Sequence, residues 1–484
     1  MNNGLPEGWS SIPLEDLVSA RKGKKPRAEK DSASKGFIPY LNIQAIEKGE
    51  VSSYAEAASS RLGTADDVLV VWDGARSGWP GLGREGAIGS TIMALQPKAG
   101  DRTYLYRWLQ TQFEHVNSNT RGTGIPHVDP EVFWKLEVPF APLNEQRRIV
   151  TKLEKLLGKV DTCQQRLAKI PVLLKRFRQS VLAAACSGRL TADWREENEN
   201  IENADAQMNA ALAIVAAEFD NACKVAKRDK LRKPVRPTCL DDYEVAWEDA
   251  ADIPDSWIVV PLGKVCRKIT DGTHDTPKPA DIGVRYITAK HIRERRIDFD
   301  NSLFLSQEDH DEIFARCNPQ RDDVLIVNIG AGTATPAMVR VDFEFSLKNV
   351  ALLKPVHNLL LGEYLEFYQL LMKPRIFGEV SRGGAQPFMG LDLMKTIPFS
   401  LPPLTEQQEI VRRVESLFAL ADHIEARYAK AKAHVEKLTP SILAKAFRGE
   451  LVPQGPNDEP ATVFLERIRN AKGDWKRSSM RPLP

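Results

Sequence analysis

Between residues 149 and 181, apolar side chains recur in alternating steps of four and three: Ile149, Leu153, Leu156, Val160, Cys163, Leu167, Ile170, Leu174, Phe177 and Val181. Adding 261 to each number gives Ile410, Val414, Leu417, Ala421, Ile424, Tyr428, Ala431, Val435, Leu438 and Ile442, nearly all apolar again. A 3–4 alternation held this long is the pattern of a coiled-coil seam, narrower than the stripe of an ordinary surface helix. Roughly forty residues at 1.5 Å each predict two helices of about 60 Å. Both segments begin behind a proline, as "PLNEQRRIV" at 142–150 and "PLTEQQEIV" at 403–411. Asn144 and Thr405 are N-cap types there, and Thr405 with Gln408 reads as a capping box. Gly188 and Gly449 mark the ends. Pro171 and Pro440 fall inside the pattern at non-equivalent places, where kinks or broken turns are expected.

The duplication extends forward from the helices. "LPEGWSSIPL" at 5–14 returns as "IPDSWIVVPL" at 253–262, "DDVLVV" at 66 as "DDVLIV" at 322, and "YLYRWLQ" at 104 as "YLEFYQL" at 364. The offset drifts from 248 to 261 through this front part and then stays at 261 from Arg121/Arg382 to Leu190/Leu451. A front that tolerates insertions and a back that does not describe a variable domain followed by an element whose register matters. The fronts, 1–141 and 253–402, read as short strands such as "VLVVW", "STIMALQP", "KLEVPF", "VRYIT", "DVLIVN", "VALLKP" and "TIPFS", with helices near 101–115 and 361–373. Two seams of equal length in one chain favour each other as partners, antiparallel if the copies are related by a two-fold axis. The expected fold is α+β: two similar domains joined by two long helices in an antiparallel coiled coil, an internal tandem repeat with pseudo-two-fold symmetry.

Where the copies share a framework they differ in loops, and loops carry function. "SARKGKKPRAEK" follows the first strand of copy one and "KITDGTHDTPKP" that of copy two; "WDGARSGWPG" and "NIGAGTATPA" follow the Asp-Asp-Val-Leu strands. The chemistry of these loops suits DNA. Lysine and arginine neutralise phosphates, while Arg, Asn and Gln read base edges in the major groove. Candidates are Lys24, Lys25, Arg27 and Arg76 in copy one, and Lys278, Lys290, Arg293 and Asn328 in copy two. The runs continue through Lys22 and through His291, Arg295 and Arg296. The loops "RGTGIPH" (121–127) and "RGGAQPF" (382–388) add Arg121, Thr123, His127, Arg382 and Gln386 beside glycines that permit close backbone approach. Any one charge run by itself is ordinarily a solvated face; the weight here comes from basic loops at equivalent places in both copies.

Composition adds limits. A chain of 484 residues exceeds one ordinary core, and 42% hydrophobic with 27% charged residues is a soluble globular mixture. No apolar run reaches membrane-span length and the start "MNNGLPEGWS" has no signal-peptide core, so a cytoplasmic protein is expected. Six cysteines without a C-x-x-C pair read as reduced thiols with no zinc site. A net charge of +2 leaves any DNA affinity to local basic surfaces. Residues 191–252 run from acidic through alanine-rich, with Met208, Leu212, Val215 and Phe219 on one helical face, to the basic "KVAKRDKLRKPVRP".

Two domains, each followed by "P-L-x-E-Q…I-V" and a long helix that closes in "LKRFRQSVLAAACSGRL" or "LTPSILAKAFRGEL", resemble the DNA-specificity subunit of type I restriction–modification enzymes. The resemblance covers almost the whole chain and is weakest in the loops. It implies target-recognition domains at 1–143 and 253–404, conserved helices at 144–190 and 405–450, a linker with a short helix at 191–252, and a tail at 451–484. It also implies a subunit without a catalytic site that reads a bipartite, asymmetric duplex target. Two modification subunits carrying S-adenosylmethionine would methylate adenine, and ATP- and Mg-dependent restriction subunits would complete the complex. The helix openings at Glu145–Val150 and Glu406–Val411 would belong to the spacer and partner-binding surface.

The residues themselves agree about catalysis. No Asn/Asp-Pro-Pro-Tyr/Phe loop for amino methylation, no glycine-rich cofactor loop and no G-x-x-x-x-G-K-S/T phosphate loop occurs. "QEDHDE" around His310 reads as a solvated helix face rather than a metal site. Two other classes compete. A single-chain methyltransferase or nuclease would need motifs that are missing. A bare coiled-coil scaffold would leave two similar domains with different basic loops unexplained.

Overall fold

The computed structural model describes residues 4–122, 124–198, 200–247, 252–273, 277–381 and 386–471. The chain divides into two compact units, Met1–Lys169 with Tyr428–Pro484, and Ile170–Arg427. Each unit therefore takes one front domain, the first part of the helical segment that follows it, and the last part of the other segment.

The two fronts share a topology. In the first, Ser10–Pro13 pairs antiparallel with Glu137–Phe140, so the opening strand returns to the strand that feeds the long helix. In the second, Ile258–Pro261 pairs with Pro398–Leu401 in the same register. A four-stranded antiparallel sheet follows in each. Its order is Val18–Lys22, Ile92–Pro97, Val68–Val71, Pro80–Leu82 in copy one and Cys266–Asp271, Val350–Pro355, Val324–Val327, Pro336–Met338 in copy two. Each front also holds one parallel pair, Phe37–Leu41 with Gly86–Ile88, and Val284–Thr288 with Phe345–Lys348. Continuous burial of "VLVV" and "VLIV" explains why these central strands show no alternation: both their faces are covered. The helices Arg102–Ser118 and Gly362–Val380 lie at the two expected places.

Antiparallel helix packing is seen inside each unit. In the first, Ile149, Leu153 and Leu157 share a core with Leu443, Ala446 and Phe447, while Gln164 and Leu167 line a cleft with Tyr428 and Val435. In the second, Val181, Leu182 and Ala185 pack with Ile410, Val414 and Phe418, and Arg178 pairs with Asp422 at 2.6 Å and Glu425 at 2.8 Å.

Several details of the helices depart from the sequence expectation. The segment from 144 is two helices, Leu143–Leu167 and Ile170–Cys186; Pro171 falls in the first turn of the second, where a missing N–H is harmless. Pro440 instead lies inside one unbroken helix, Leu404–Phe447. Asn144 and Thr405 are not caps. The carbonyls of Pro142 and Pro403 accept the first helical bonds, from Gln146 and Gln407, both at 2.9 Å. Gly188 and Gly449 end the helices at φ 75° and 74°, in the left-handed region that glycine enters without strain.

The seam is also one residue out of phase near the domains. Ile149, Leu153, Val160, Leu174, Ile410 and Val414 are buried, but Leu156 and Leu417 are only half-buried, and their neighbours Leu157 and Phe418 are inside. Leu167, Tyr428 and Val435 are half-buried, and Ile424 is 39% exposed. The buried steps, 149–153–157–160 and 410–414–418–421, are four, four, three. Near each domain the buried face is thus turned by one residue, to Leu157 and Phe418, while Val160 and Leu174 keep the seam expected from the sequence.

The linker helix, expected to be short, spans Ala204–Arg228, 25 residues. Ala204, Ala211 and Val215 enter the second unit's core, with Met208 and Leu212 against it. Its start has a counterpart in the tail: the Ala204 N–H donates to the Ser256 carbonyl at 3.1 Å, and the Ala461 N–H, opening Ala461–Ala471, donates to the Gly8 carbonyl at 2.9 Å. The duplication thus continues past the helices into segments whose sequences no longer show it.

Candidate nucleic-acid interface

In each front domain the loop after the central strand is clamped to the loop that precedes the final short helix. In copy one the Gly74 N–H donates to the Pro126 carbonyl at 2.8 Å, and the Ser77 hydroxyl lies 2.7 Å from the Gly74 carbonyl and 3.1 Å from that of Pro126. In copy two the Gly330 N–H donates to the Pro387 carbonyl at 2.9 Å, and the Thr333 hydroxyl lies 2.7 Å from the Gly330 carbonyl and 3.1 Å from that of Pro387. Short bridges pair Asp73 with His127 and Ile329 with Phe388. Gly74 and Gly330 have φ of 115° and 92°, so the hydroxyl needs a glycine there to close the turn. One backbone frame thus presents two different sets of side chains.

Around the first frame the cations are mostly partnered. Lys22 Nζ lies 2.6 Å from Asp73 Oδ2 and His127 Nδ1 lies 2.8 Å from Asp73 Oδ1. Arg76 pairs with Glu47 at 2.7 Å and stacks over the Trp79 ring at 5.1 Å. Arg121 pairs with Asp129 at 2.7 Å and Glu131 at 3.2 Å. The Arg76 and Arg121 side chains remain about half exposed, at 53% and 54%. Pairs this exposed are screened by solvent and hold their cations weakly, so a phosphate can take over either cation at little cost. Lys24, Lys25 and Arg27 are exposed and their side chains make no ion pair among the described residues, on a turn where any Cβ at Gly23 would run into the Gly89 carbonyl. Thr123 lies outside the described residues.

In the second domain Lys278, Lys290 and Arg293 are exposed. The Arg293 guanidinium donates to the carbonyls of Lys290, at 2.6 Å, and Ile292, at 3.0 Å, which fixes the hairpin Ile292–Arg293/Arg296–Ile297. Its basic run does not face outward as a whole. His291 is buried, closing a capping box with Thr288, and burial pushes its pKa down. Arg295 turns in to Glu366 and Glu415 and stacks on Phe367 and Phe418. Asn328, taken from the sequence as an edge reader, is buried at 2% exposure, because its backbone carbonyl accepts the Met389 N–H at 2.8 Å and draws the residue under the clamp. Gln386 is exposed at the loop beside Gly330; Arg382 lies outside the described residues.

His310 is likewise inside, its ring 3.0 Å from the Ser346 hydroxyl, so the helix Gln307–Cys317 is not a fully solvated face there. Among the described residues no group of three or more His, Cys, Asp and Glu side chains gathers as a metal site would. No disulfide joins any of the six cysteines, and no helix among the described residues is long and apolar enough to cross a membrane. Sequence reasoning passed over Asp73, Ile329 and Phe388. Their signal was available: each sits at a shared framework position where the two copies differ in charge.

Fold and loops together define a duplicated α+β protein whose two domains present variable loops from one conserved clamp. The family model described as "Type I restriction modification DNA specificity domain" matches residues 6–172 and 254–433, and the chain belongs to that family. The EcoBI type I restriction enzyme specificity subunit of Escherichia coli is 27% identical, over 98% of this chain and 96% of its own. The MjaVIII specificity subunit of Methanocaldococcus jannaschii is 23% identical, over 92% and 94%. A chain from a study of type I R-M complex assembly and conformational transition has the same fold, with TM-score 0.60 at 19% identity over 92% of this chain and 99% of that one. The HsdS subunit from Thermoanaerobacter tengcongensis gives 0.50 at 18% identity over 92% and 98%.

Proposed function

We propose that this DNA-specificity subunit reads a two-part, asymmetric duplex target, one part through each front domain. The observation that carries the reading is the repeated clamp: the Gly74–Ser77–Pro126 and Gly330–Thr333–Pro387 contacts match, while the side chains they display do not. Two identical readers would select a palindrome; two frames with different chemistry select unlike halves. Lys24, Lys25, Arg27, Lys278, Lys290 and Arg293 neutralise phosphates, and Arg76, Arg121, His127 and Gln386 approach base edges or the adjoining backbone.

The chain performs no chemistry itself in this reading. It works in the cytoplasm with two methyltransferase subunits that bring S-adenosylmethionine to adenine, and with ATP- and Mg-dependent restriction subunits. Support comes from the relatives, which are named as specificity subunits of type I restriction enzymes.

Domain exchange tests the proposal. Replacing residues 1–141 with the corresponding domain of another specificity subunit should change one half of the methylated sequence and leave the other intact. A target that is contiguous in the parent, or that changes in both halves, would overturn it. Methylation by the highly purified single chain would show that it is an enzyme in its own right.

A further inference from the structure

We infer that positions 73 and 127, with Lys22 behind them, determine the base that the first domain selects, and that positions 329 and 388 do so in the second. The inference deepens the DNA-reading function and rests on it.

Two side chains of the first domain, Lys22 and His127, converge on the Asp73 carboxylate. Asp73 Oδ2 accepts from Lys22 at 2.6 Å and Oδ1 lies 2.8 Å from His127 Nδ1, while the Asp73 side chain is 20% exposed and that of His127 48%. The cluster sits where the two clamped loops meet, because the Asp73–His127 bridge is also backbone pairing. A carboxylate offers about four lone-pair sites, and two of these are taken. Held by two donors, Asp73 cannot swing away, and its remaining acceptor capacity is directed by groups on three separate segments. An acceptor-only group on a reading loop selects an exocyclic amine: cytosine N4 or adenine N6 in the major groove.

The second domain places Ile329 and Phe388 at the bridge positions of Asp73 and His127. Phe388 is 53% exposed, so its ring is open to a ligand at the clamp. At the Lys22 position, opposite the matching residue of the neighbouring strand, stands Asp271, turned to Arg316 at 2.7 Å. Ile329 and Phe388 have no side-chain acceptor to offer an amine. Their chemistry fits the thymine methyl group, the apolar feature of the major groove.

The test uses the full chain assembled with its methyltransferase subunits and a library of randomised duplex DNA. Asp73→Asn keeps the shape, and both contacts when Oδ1 accepts from Lys22 and Nδ2 donates to His127 in its Nε2–H tautomer, but replaces an acceptor-only group by one that accepts and donates, the pattern that favours adenine N6/N7. The preference at one base pair of one half-site should move by roughly five-fold or more, with the other half-site and the affinity for unrelated DNA unchanged. Phe388→Ala should relax a base pair in the opposite half only. Unchanged preferences in both variants would overturn the inference, as would an equal loss of affinity for every sequence, which marks a structural role. Failure of the parent complex to select any sequence would instead refute the DNA-reading function itself.

Discussion

The indole Nε1–H of Trp257 donates to Glu406 Oε2 at 2.8 Å, and Trp9 makes the same bond to Glu145 at 3.1 Å. Both carboxylates are buried, at 0% and 1% exposure. The glutamine that follows each completes the joint. Gln146 Nε2 donates to the Ala141 carbonyl and its Oε1 accepts from the Asp101 N–H; Gln407 Nε2 donates to the Leu359 and Pro402 carbonyls and its Oε1 accepts from the Leu361 N–H. The repeated "EQ" is therefore a lock between a domain and the helix it feeds. Trp257→Phe removes the donor and leaves a buried acceptor short of a partner. Stability should fall by about 1–3 kcal/mol. Thermal unfolding measures this, with the target sequence expected to stay the same; a stable variant with a changed target would contradict the lock.

The two locks differ in charge. Glu406 Oε1 accepts from Thr191 at 2.7 Å and from Arg195, whereas among the described residues Glu145 Oε1 is buried without a hydrogen-bond partner. Burial raises the Glu145 carboxyl above its usual value, with the Trp9 indole pulling the other way. A raised carboxyl favours the folded state while protonated; that contribution is full below the ordinary carboxylate range and is lost as pH rises through the raised value. Glu145→Gln should accordingly gain stability relative to the parent as pH rises above the ordinary carboxylate range. Glu406→Gln strips Arg195 of its anion and should be destabilised at neutral pH by about 1–3 kcal/mol. Thermal midpoints across pH decide the matter; equal profiles for both variants would remove the distinction.

The phase of the helices predicts a ranking. Leu157→Asp and Phe418→Asp place an unpaired charge among buried side chains and should lose several kcal/mol. Leu156→Asp and Leu417→Asp, at half-buried sites, should lose less. Denaturant titration orders the four, and the reverse order would restore the 3.5-residue seam.

The clamp hydroxyl can be removed without changing shape much. Thr333→Val should cost about 1 kcal/mol in stability and weaken selection at the second half-site alone. Competition between duplexes mutated in one half or the other reads this out. Equal weakening at both halves would show that the clamp is not local to its reader.

Much of this protein is legible in its sequence. The helix-length repeat at a constant offset of 261, the strand fragments and the glycine stops follow from periodicity and local backbone preference, which act over a few neighbours. So does the choice of loops, because loss of regular pattern between matching framework words marks where the two copies differ. The tertiary structure decided the rest. Only packing on the domains tells that Leu157 and Phe418 face inward rather than Leu156 and Leu417, since a one-residue shift of phase leaves the sequence pattern almost unchanged. Only the fold buries Asn328, His291 and His310, and only chain folding over more than 50 residues of separation brings Lys22 and His127 onto the Asp73 carboxylate. Polar contacts between distant segments leave no periodic trace, and their partners are chosen by geometry that a linear reading does not contain.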